Sequence, residues 1–290
     1  MVSFTTWNRM GLVSRNLTAL LNTEDDFELH IVDSNSTDDT WSYIQEIKDV
    51  RIKSRTRLEK NMGNIYASNY SLSKRKPDQY FIAMDSDVHI YTKNWVTSFI
   101  EVFSAFPEAG LLGVPKASPY PSYLPPVLFR MKDGVSYLQL KNASLSDPLD
   151  FVPGHLQCLR PELIDRIGYW NEEGHYGDAE LSPRIAHYTP YTAGYVTTIE
   201  IDQNQEVSCE ECPVMAYCSL NRDKETCFSI RERNYRNPLF ASKYLWKHLQ
   251  IFDEMKVGKR TAYSASIHDE GSMKKCLYYR DWAEENFNFY

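Results

Sequence analysis

The apolar and polar positions of the first 85 residues change period several times. Residues 1–6 form a short β-rich run that ends in the polar turn Thr6-Trp7-Asn8-Arg9. Leu17, Leu20 and Leu21 then fall on one stripe at helical spacing. Residues 28–32 predict a second strand that stops at Asp33, and Ser34-Asn35-Ser36-Thr37-Asp38-Asp39 follow as turn and helix-start formers. Trp41, Ile44 and Ile47 recur at helical spacing, which predicts a helix over 37–48. A third strand is predicted over 50–54. A helix opened by Asn61-Met62-Gly63-Asn64 runs over 61–72, and an apolar strand over 80–84 terminates at Asp85. Strands separated by helices imply a parallel sheet covered on both faces. Right-handed crossovers bring the strand ends to one edge, where open α/β sheets collect their ligands. Trp7, Asp33 and Asp85 are therefore expected around one crevice.

The pattern loosens after residue 114. Residues 115–150 are rich in Pro and Tyr and predict a long ordered excursion or flexible loop over the sheet edge. A helix is predicted over 156–168, ending at Gly168. Another helix starts over 175–186, running from acidic to basic residues, and 195–201 is a β-rich run. Asn237-Pro238 opens a long amphipathic helix that carries Leu245, Leu249 and Phe252 and is terminated by Gly258. No internal repeat or low-complexity tract interrupts the chain.

Composition narrows the classes. The 290 residues suit one large α/β domain or two smaller ones, and 42% hydrophobic with 24% charged residues excludes bulk disorder. No apolar run approaches the ~18–20 residues that span a bilayer. The first residues lack a basic region followed by an apolar stretch, so no signal peptide is expected. A net charge of −7 argues against broad nonspecific binding to nucleic acid or anionic membranes. The 20 Tyr and 6 Trp fit core, interface or sugar-stacking surface alike. Asn-x-Ser/Thr sequons occur at Asn16, Asn35, Asn69 and Asn142. They are read as chance matches in a cytoplasmic protein, since a glycan at Asn35 would obstruct the expected ligand crevice.

Two constellations carry chemistry. Asp85-Ser86-Asp87 follows the apolar strand, and carboxylates at i and i+2 can converge on one hard cation, Mn²⁺ or Mg²⁺. Alone, this pattern is equally a solvated acidic turn. Cys209, Cys212, Cys218 and Cys227 follow the spacing C-x2-C-x5-C-x8-C, which suits a structural zinc tetrahedron. An iron–sulfur cluster, disulfides or plain buried thiols are the competing explanations.

Taken together, the pieces resemble the family 2 glycosyltransferases of the GT-A fold. The resemblance lies in Val2-Ser3-Phe4-Thr5-Thr6-Trp7-Asn8-Arg9, in Ile31 to Thr40, in Asn61-Met62-Gly63-Asn64 with Ala67 and Asn69, and in Asp85-Ser86-Asp87. It continues through Gly154, Arg160-Pro161-Glu162, Ile167 to Glu172 and Tyr176-Gly177-Asp178-Ala179-Glu180-Leu181-Ser182-Pro183-Arg184. It implies a Rossmann-like mixed sheet flanked by helices over 1–203. Residues 1–114 would be the nucleotide-sugar half and 115–203 the acceptor-side half. Residues 204–290 would form a C-terminal extension that carries the four-cysteine cluster and helices. It further implies metal-dependent, inverting transfer of a sugar from a UDP-sugar to a hydroxyl acceptor. The acceptor stays open among protein, polysaccharide, lipid-linked sugar and modified nucleic acid.

Residue roles follow from the same resemblance. Thr5, Trp7, Asp33, Asn61, Gly63, Asn64 and Asp85 would bind the donor, with Asp33 accepting a hydrogen bond from the base imide. Asp85 and Asp87 would hold the metal, with His268 a candidate further ligand. Asp178 is the first candidate for the general base and Glu180 the second. Gly177 stands where the family carries a Glu. Two other functions compete: a catalytically inactive, zinc-containing GT-A-like module that binds protein or nucleic acid, and a nucleotidyltransferase. The latter would want a Gly-rich phosphate loop near the first strand, and residues 5–11 contain none.

Overall fold

The computed structural model describes residues 1–115, 125–141, 143–145, 150–175, 177–203 and 238–288, the side chains of 238–244 excepted. Its first half is the predicted alternation: β1 (Val2–Thr6), α1 (Met10–Leu21), β2 (Leu29–Asp33), α2 (Thr40–Glu46), β3 (Ile52–Arg57), α3 (Asn64–Leu72) and β4 (Phe81–Asp85). β1 is parallel to β2 and β4, and β2 is parallel to β3. Every residue of β1 is buried, as expected of a central strand covered on both faces. In β4, Ile82 and Met84 join one apolar cluster with Phe4, Leu17 and Trp95, while Phe81 and Ala83 join another with Leu163 and Trp170. That alternation is the period of a strand buried on both faces. β3 lies at the edge and carries Lys53, Arg55 and Arg57, charges that disfavour edge-to-edge pairing.

The second half continues with β5 (Val88–Ile90), α4 (Trp95–Ala105), β6 (Ala109–Gly113), β7 (Val127–Lys132), β8 (Val135–Leu140), β9 (Leu156–Leu159), α5 (Pro161–Ile167), α6 (Gly177–Tyr188), β10 (Thr192–Tyr195) and β11 (Ile201–Gln203). The large sheet runs in the order β3-β2-β1-β4-β9-β6-β10-β8-β7, and β11 pairs with β5 in a small second sheet. It is mixed, because β9 is antiparallel to both β4 and β6.

Three sequence expectations change here. Residues 156–168 are not one helix: Leu156–Leu159 is a fully buried strand, and Pro161 opens a separate short helix, its fixed φ and missing N–H suiting a first turn. The region 115–150 contains a β-hairpin, β7–β8, turned at Asp133-Gly134 with both residues at positive φ. Residues 195–201 are not one strand but the connection from β10 to β11.

The C-terminal segment contains α7 (Pro238–Lys256), α8 (Glu270–Met273) and α9 (Arg280–Phe287). Gly258 follows α7 at φ +71, the expected stop. The buried face of α7 differs from the predicted stripe. Ile251, Phe252 and Met255 are buried, whereas Leu245 and Leu249 are about half exposed beside exposed Trp246. Buried charges tie this segment to the rest of the chain. The Glu172 carboxylate accepts from Asn69 Nδ2 (2.8 Å), Ser266 Oγ (2.7 Å), the Ile267 N–H (2.9 Å) and Tyr278 Oη (2.5 Å). Arg260 grips Glu173 with two hydrogen bonds, 2.8 and 3.0 Å, and its Nε donates to Glu254 at 2.8 Å.

Candidate active site

Strand register aligns the polar residues. In the sheet Thr5 is level with Asp85, Thr6 with Asp33, and Asp33 with Arg57. All lie at the carboxyl ends of parallel strands, the expected ligand edge.

Two loops interlock above β1 and β2. Asn8, at φ +48, accepts from the Thr37 N–H at 2.7 Å, and its own N–H donates to Ser36 Oγ at 2.9 Å. Asp33 is fully buried and accepts from both the backbone N–H (3.0 Å) and the hydroxyl of Ser36. Arg57 Nε stands 3.6 Å from the same carboxylate. Burial pushes the Asp33 carboxyl up, opposed by Ser36 and Arg57. An ionised carboxylate has about four lone-pair sites, and Ser36 occupies two of those on Asp33. Trp7 projects from the first loop at 36% exposure, a flat face open to a ligand.

The third loop carries the acidic pair. Thr5 Oγ1 donates to Asn64 Oδ1 at 2.6 Å, and Asn64 Nδ2 donates to Asp85 Oδ1 at 2.7 Å. Asn61 Oδ1 accepts from the Gly63 N–H at 3.0 Å, and Gly63, at φ +86, starts α3 in a conformation that favours glycine. Asp87 is fully buried. Its Oδ2 accepts from Arg9 Nη1 at 3.1 Å, and its Oδ1 has no hydrogen-bond partner. Burial, then the charge of Asp87, raises the Asp85 carboxyl well above the usual range. An unpaired buried oxygen beside a second carboxylate fits a hard divalent cation. Among the described residues no three His, Cys, Asp or Glu side chains converge on a metal position.

Asp178 reaches this loop from the start of α6. The Asp85 N–H donates to the His155 carbonyl at 2.9 Å, and the neighbouring Gly154 N–H donates to Asp178 Oδ2 at 3.0 Å. The Ala179 N–H donates to Asp178 Oδ1 at 2.9 Å. Burial raises the Asp178 carboxyl, and the backbone donors oppose the rise.

The structure does not bring every expected residue to this point. Glu180 is buried in an ion pair with Arg184 at 2.6 Å, and Arg184 also donates to the Tyr169 and Ala262 carbonyls. That pairing makes Glu180 a structural charge. His268 packs edge-on against Tyr66, ring centroids 4.3 Å apart, with Nε2 3.2 Å from the Tyr66 carbonyl. It lies against α3 and joins no metal-ligand group with Asp85 and Asp87. A Cβ on Gly177 would lie 2.9 Å from Ile65 Cδ1, the end of a flexible side chain on α3. Cys209, Cys212, Cys218 and Cys227 lie outside the described residues. Sequence reasoning passed over Arg9, Arg57 and Ser36 as site residues. For Arg57 a signal existed, a charged residue at the end of the strand beside Asp33.

Comparison with known proteins agrees with this geometry. A family profile, Glycosyl transferase family 2, matches residues 2–168, more than half of the chain. By sequence, no curated protein matches. Among solved structures, the mannosyltransferase PcManGT from Pyrobaculum calidifontis, in complex with GDP-Man and Mn²⁺, is similar at TM-score 0.55 and 17% identity. The match covers 86% of this chain and 68% of that one. Residues 1–349 of S. aureus TarS, in complex with UDP-GlcNAc, give TM-score 0.50 and 18% identity over 86% of this chain and 72% of that one. A longer TarS structure is covered over 43% of its length. GalNAc-T7 with UDP, GalNAc and Mn²⁺ gives TM-score 0.50 and 12% identity over 70% and 43% of the two chains. At these identities the structural likeness speaks for the GT-A fold and the family profile for the lineage. The chain is a glycosyltransferase and belongs to glycosyl transferase family 2.

Proposed function

We propose that the chain transfers a sugar, with inversion, from a UDP-sugar to a hydroxyl acceptor. The observation that carries this reading is the backbone link Asp85–His155–Gly154–Asp178, which puts a third carboxylate beside the Asp-x-Asp loop. Asp85 and Asp87 would hold Mn²⁺ or Mg²⁺, which when bound supplies positive charge to the departing diphosphate. The Mn²⁺ complexes of PcManGT and GalNAc-T7 support that choice of ion. Asp178 would take the acceptor hydroxyl proton as that oxygen attacks the anomeric carbon. The bond to the diphosphate breaks on the opposite face, and UDP leaves. Thr5 and Asn64 orient Asp85, and Asn61 and Gly63 shape the loop beneath the nucleotide. Trp7 offers a stacking face for the base, and Asp33 would accept from the base imide N–H.

Two subsidiary readings belong with this one. The four-cysteine cluster would hold one structural zinc ion. A cytoplasmic location is supported by two of the sequons: Asn16 and Asn69 are fully buried, and their amides donate to Ser86 and Trp170 carbonyls, leaving no room for a glycan. Among the described residues no helix is long and apolar enough to cross a membrane.

The test is a panel of UDP- and GDP-sugars with Mn²⁺, read by thermal shift, since a ligand of the native state raises apparent stability. Turnover with the best donor is then compared in the wild type, Asp87→Ala and Asp178→Asn. Asp87→Ala should abolish transfer, and Asp178→Asn should lose ~10²–10⁴-fold in turnover with donor affinity kept. No stabilising nucleotide sugar, or full turnover in Asp178→Asn, would sink the reading.

A further inference from the structure

We infer that Arg9 is a positioning residue that holds Asp87 in the free protein and turns to the donor's diphosphate when the donor binds, so that cation binding depends on the nucleotide. The inference rests on the proposed cation site at Asp85 and Asp87 and goes beyond it.

The geometry is specific. Arg9 precedes α1, and its backbone is fixed. Its N–H donates to Thr40 Oγ1 at 3.2 Å, the next N–H donates to Asp38 Oδ2 at 3.1 Å, and Asn8 before it is locked to Ser36 and Thr37. The guanidinium reaches 78 residues along the chain to Asp87 Oδ2 at 3.1 Å. The two partners differ in access, the Arg9 side chain being 24% exposed and that of Asp87 not at all. Asp87 therefore presents one oxygen paired with a positive charge and one, Oδ1, buried without a hydrogen-bond partner. Asp85 is held by a neutral partner, Asn64.

The electrostatics follow. A divalent cation on Asp87 Oδ1 would face a guanidinium across a single carboxylate, with little solvent between to screen the repulsion. Either the cation binds weakly or Arg9 must leave Asp87, giving up a charge-assisted hydrogen bond. A diphosphate changes the balance. Arginine's planar fork suits phosphate as well as carboxylate, so Arg9 can exchange one anion for the other at small cost. Asp87 is then released to the cation. By linkage the coupling is reciprocal, and the cation tightens the nucleotide by the same factor.

The experiment is a titration of the protein with Mn²⁺, free Mn²⁺ being read by electron paramagnetic resonance, with and without saturating UDP. Wild type, Arg9→Met, Arg9→Gln, Arg9→Lys and Asp87→Asn are compared, each checked for its unfolding midpoint. Without UDP, Arg9→Met should bind Mn²⁺ about tenfold tighter than wild type, the scale expected for removing one nearby charge. With UDP the two should differ by less than about threefold, because Arg9 has already left Asp87. Arg9→Gln gives the same comparison should the Met variant not fold. Arg9→Lys keeps the charge and should bind Mn²⁺ as weakly as wild type. Equal or weaker Mn²⁺ binding by the neutral variants without UDP overturns the role of Arg9, as does Arg9→Lys behaving like Arg9→Met. Mn²⁺ binding that is absent from the wild type even with UDP, or unaffected by Asp87→Asn, overturns the cation site and this inference with it.

Discussion

Asp178 gains its character from two opposed effects, burial that raises its carboxyl and two backbone N–H donors that lower it. As the proposed base, Asp178 would act when deprotonated, so turnover is expected to fall as pH drops through the raised pKa. With saturating Mn²⁺ to hold Asp85 ionised, the acid limb of kcat should lie clearly above the ordinary aspartate value of about 3.9. A limb at or below pH 4 would count against Asp178. Glu180→Gln should behave differently: it weakens the buried pair with Arg184, so it should lower the unfolding midpoint while the folded fraction keeps its turnover. At this scale the sequence was legible where a polar residue ends an apolar strand. Asp33 and Asp85 stand out because the period breaks at them. The Arg9–Asp87 pair was not legible, since nothing local announces a contact between positions 78 residues apart. The burial of Glu180 was illegible for a related reason. Its i+4 partner Arg184 was visible, but the depth of both residues was not.

At the scale of elements, the parallel half was readable and the mixed half was not. Four apolar residues, Leu156–Leu159, are too few to show a period, and they merged in the reading with the helical residues after them. Pro161 was the available signal of a boundary. In α7 the apolar residues encircle much of the helix, so sequence could not say which stripe the neighbours cover. The junction of β10 with β8 has no slack. A Cβ on Gly194 would lie against the Leu138 carbonyl oxygen and 2.9 Å from the Tyr137 ring. Gly194→Ala should therefore destabilise by ~1–3 kcal/mol, the range for overpacking, seen as a lower unfolding midpoint. An unchanged midpoint would mean that β8 and the hairpin yield more readily than the packing implies.

For the whole molecule, the described part of the C-terminal segment is bound to Glu172 and Glu173, ahead of α6, through buried charges. Glu173, Arg260 and Glu254 are each at most 6% exposed and meet at 2.8–3.0 Å. Arg260→Met leaves buried Glu173 without its cation, while Glu254 keeps Lys259 at 2.8 Å, and breaking such a buried pair costs about 3–5 kcal/mol on the usual scale. The expected result is loss of the 260–288 contacts and of the main unfolding transition together. Two separated transitions in calorimetry, with the first 203 residues unaffected, would show instead that the segment folds by itself. The sequence gives no hint that Glu172 and Glu173 are buried, because their partners follow some ninety residues later.

The close approach of α6 to α3 has a consequence for how this lineage can change. A side chain at Gly177 would press on the end of Ile65, so the two positions are expected to be coupled. Installing the family's acidic residue by Gly177→Glu alone would drive a wedge between the helix that carries Asp178 and the helix whose first residue, Asn64, orients Asp85. Paired with Ile65→Ala, the same change acquires room. The double variant should recover much of the stability that the single variant loses, a coupling that a double-mutant cycle measures directly. A large coupling in that cycle would mean that a change at one of these positions alters what the other can accept.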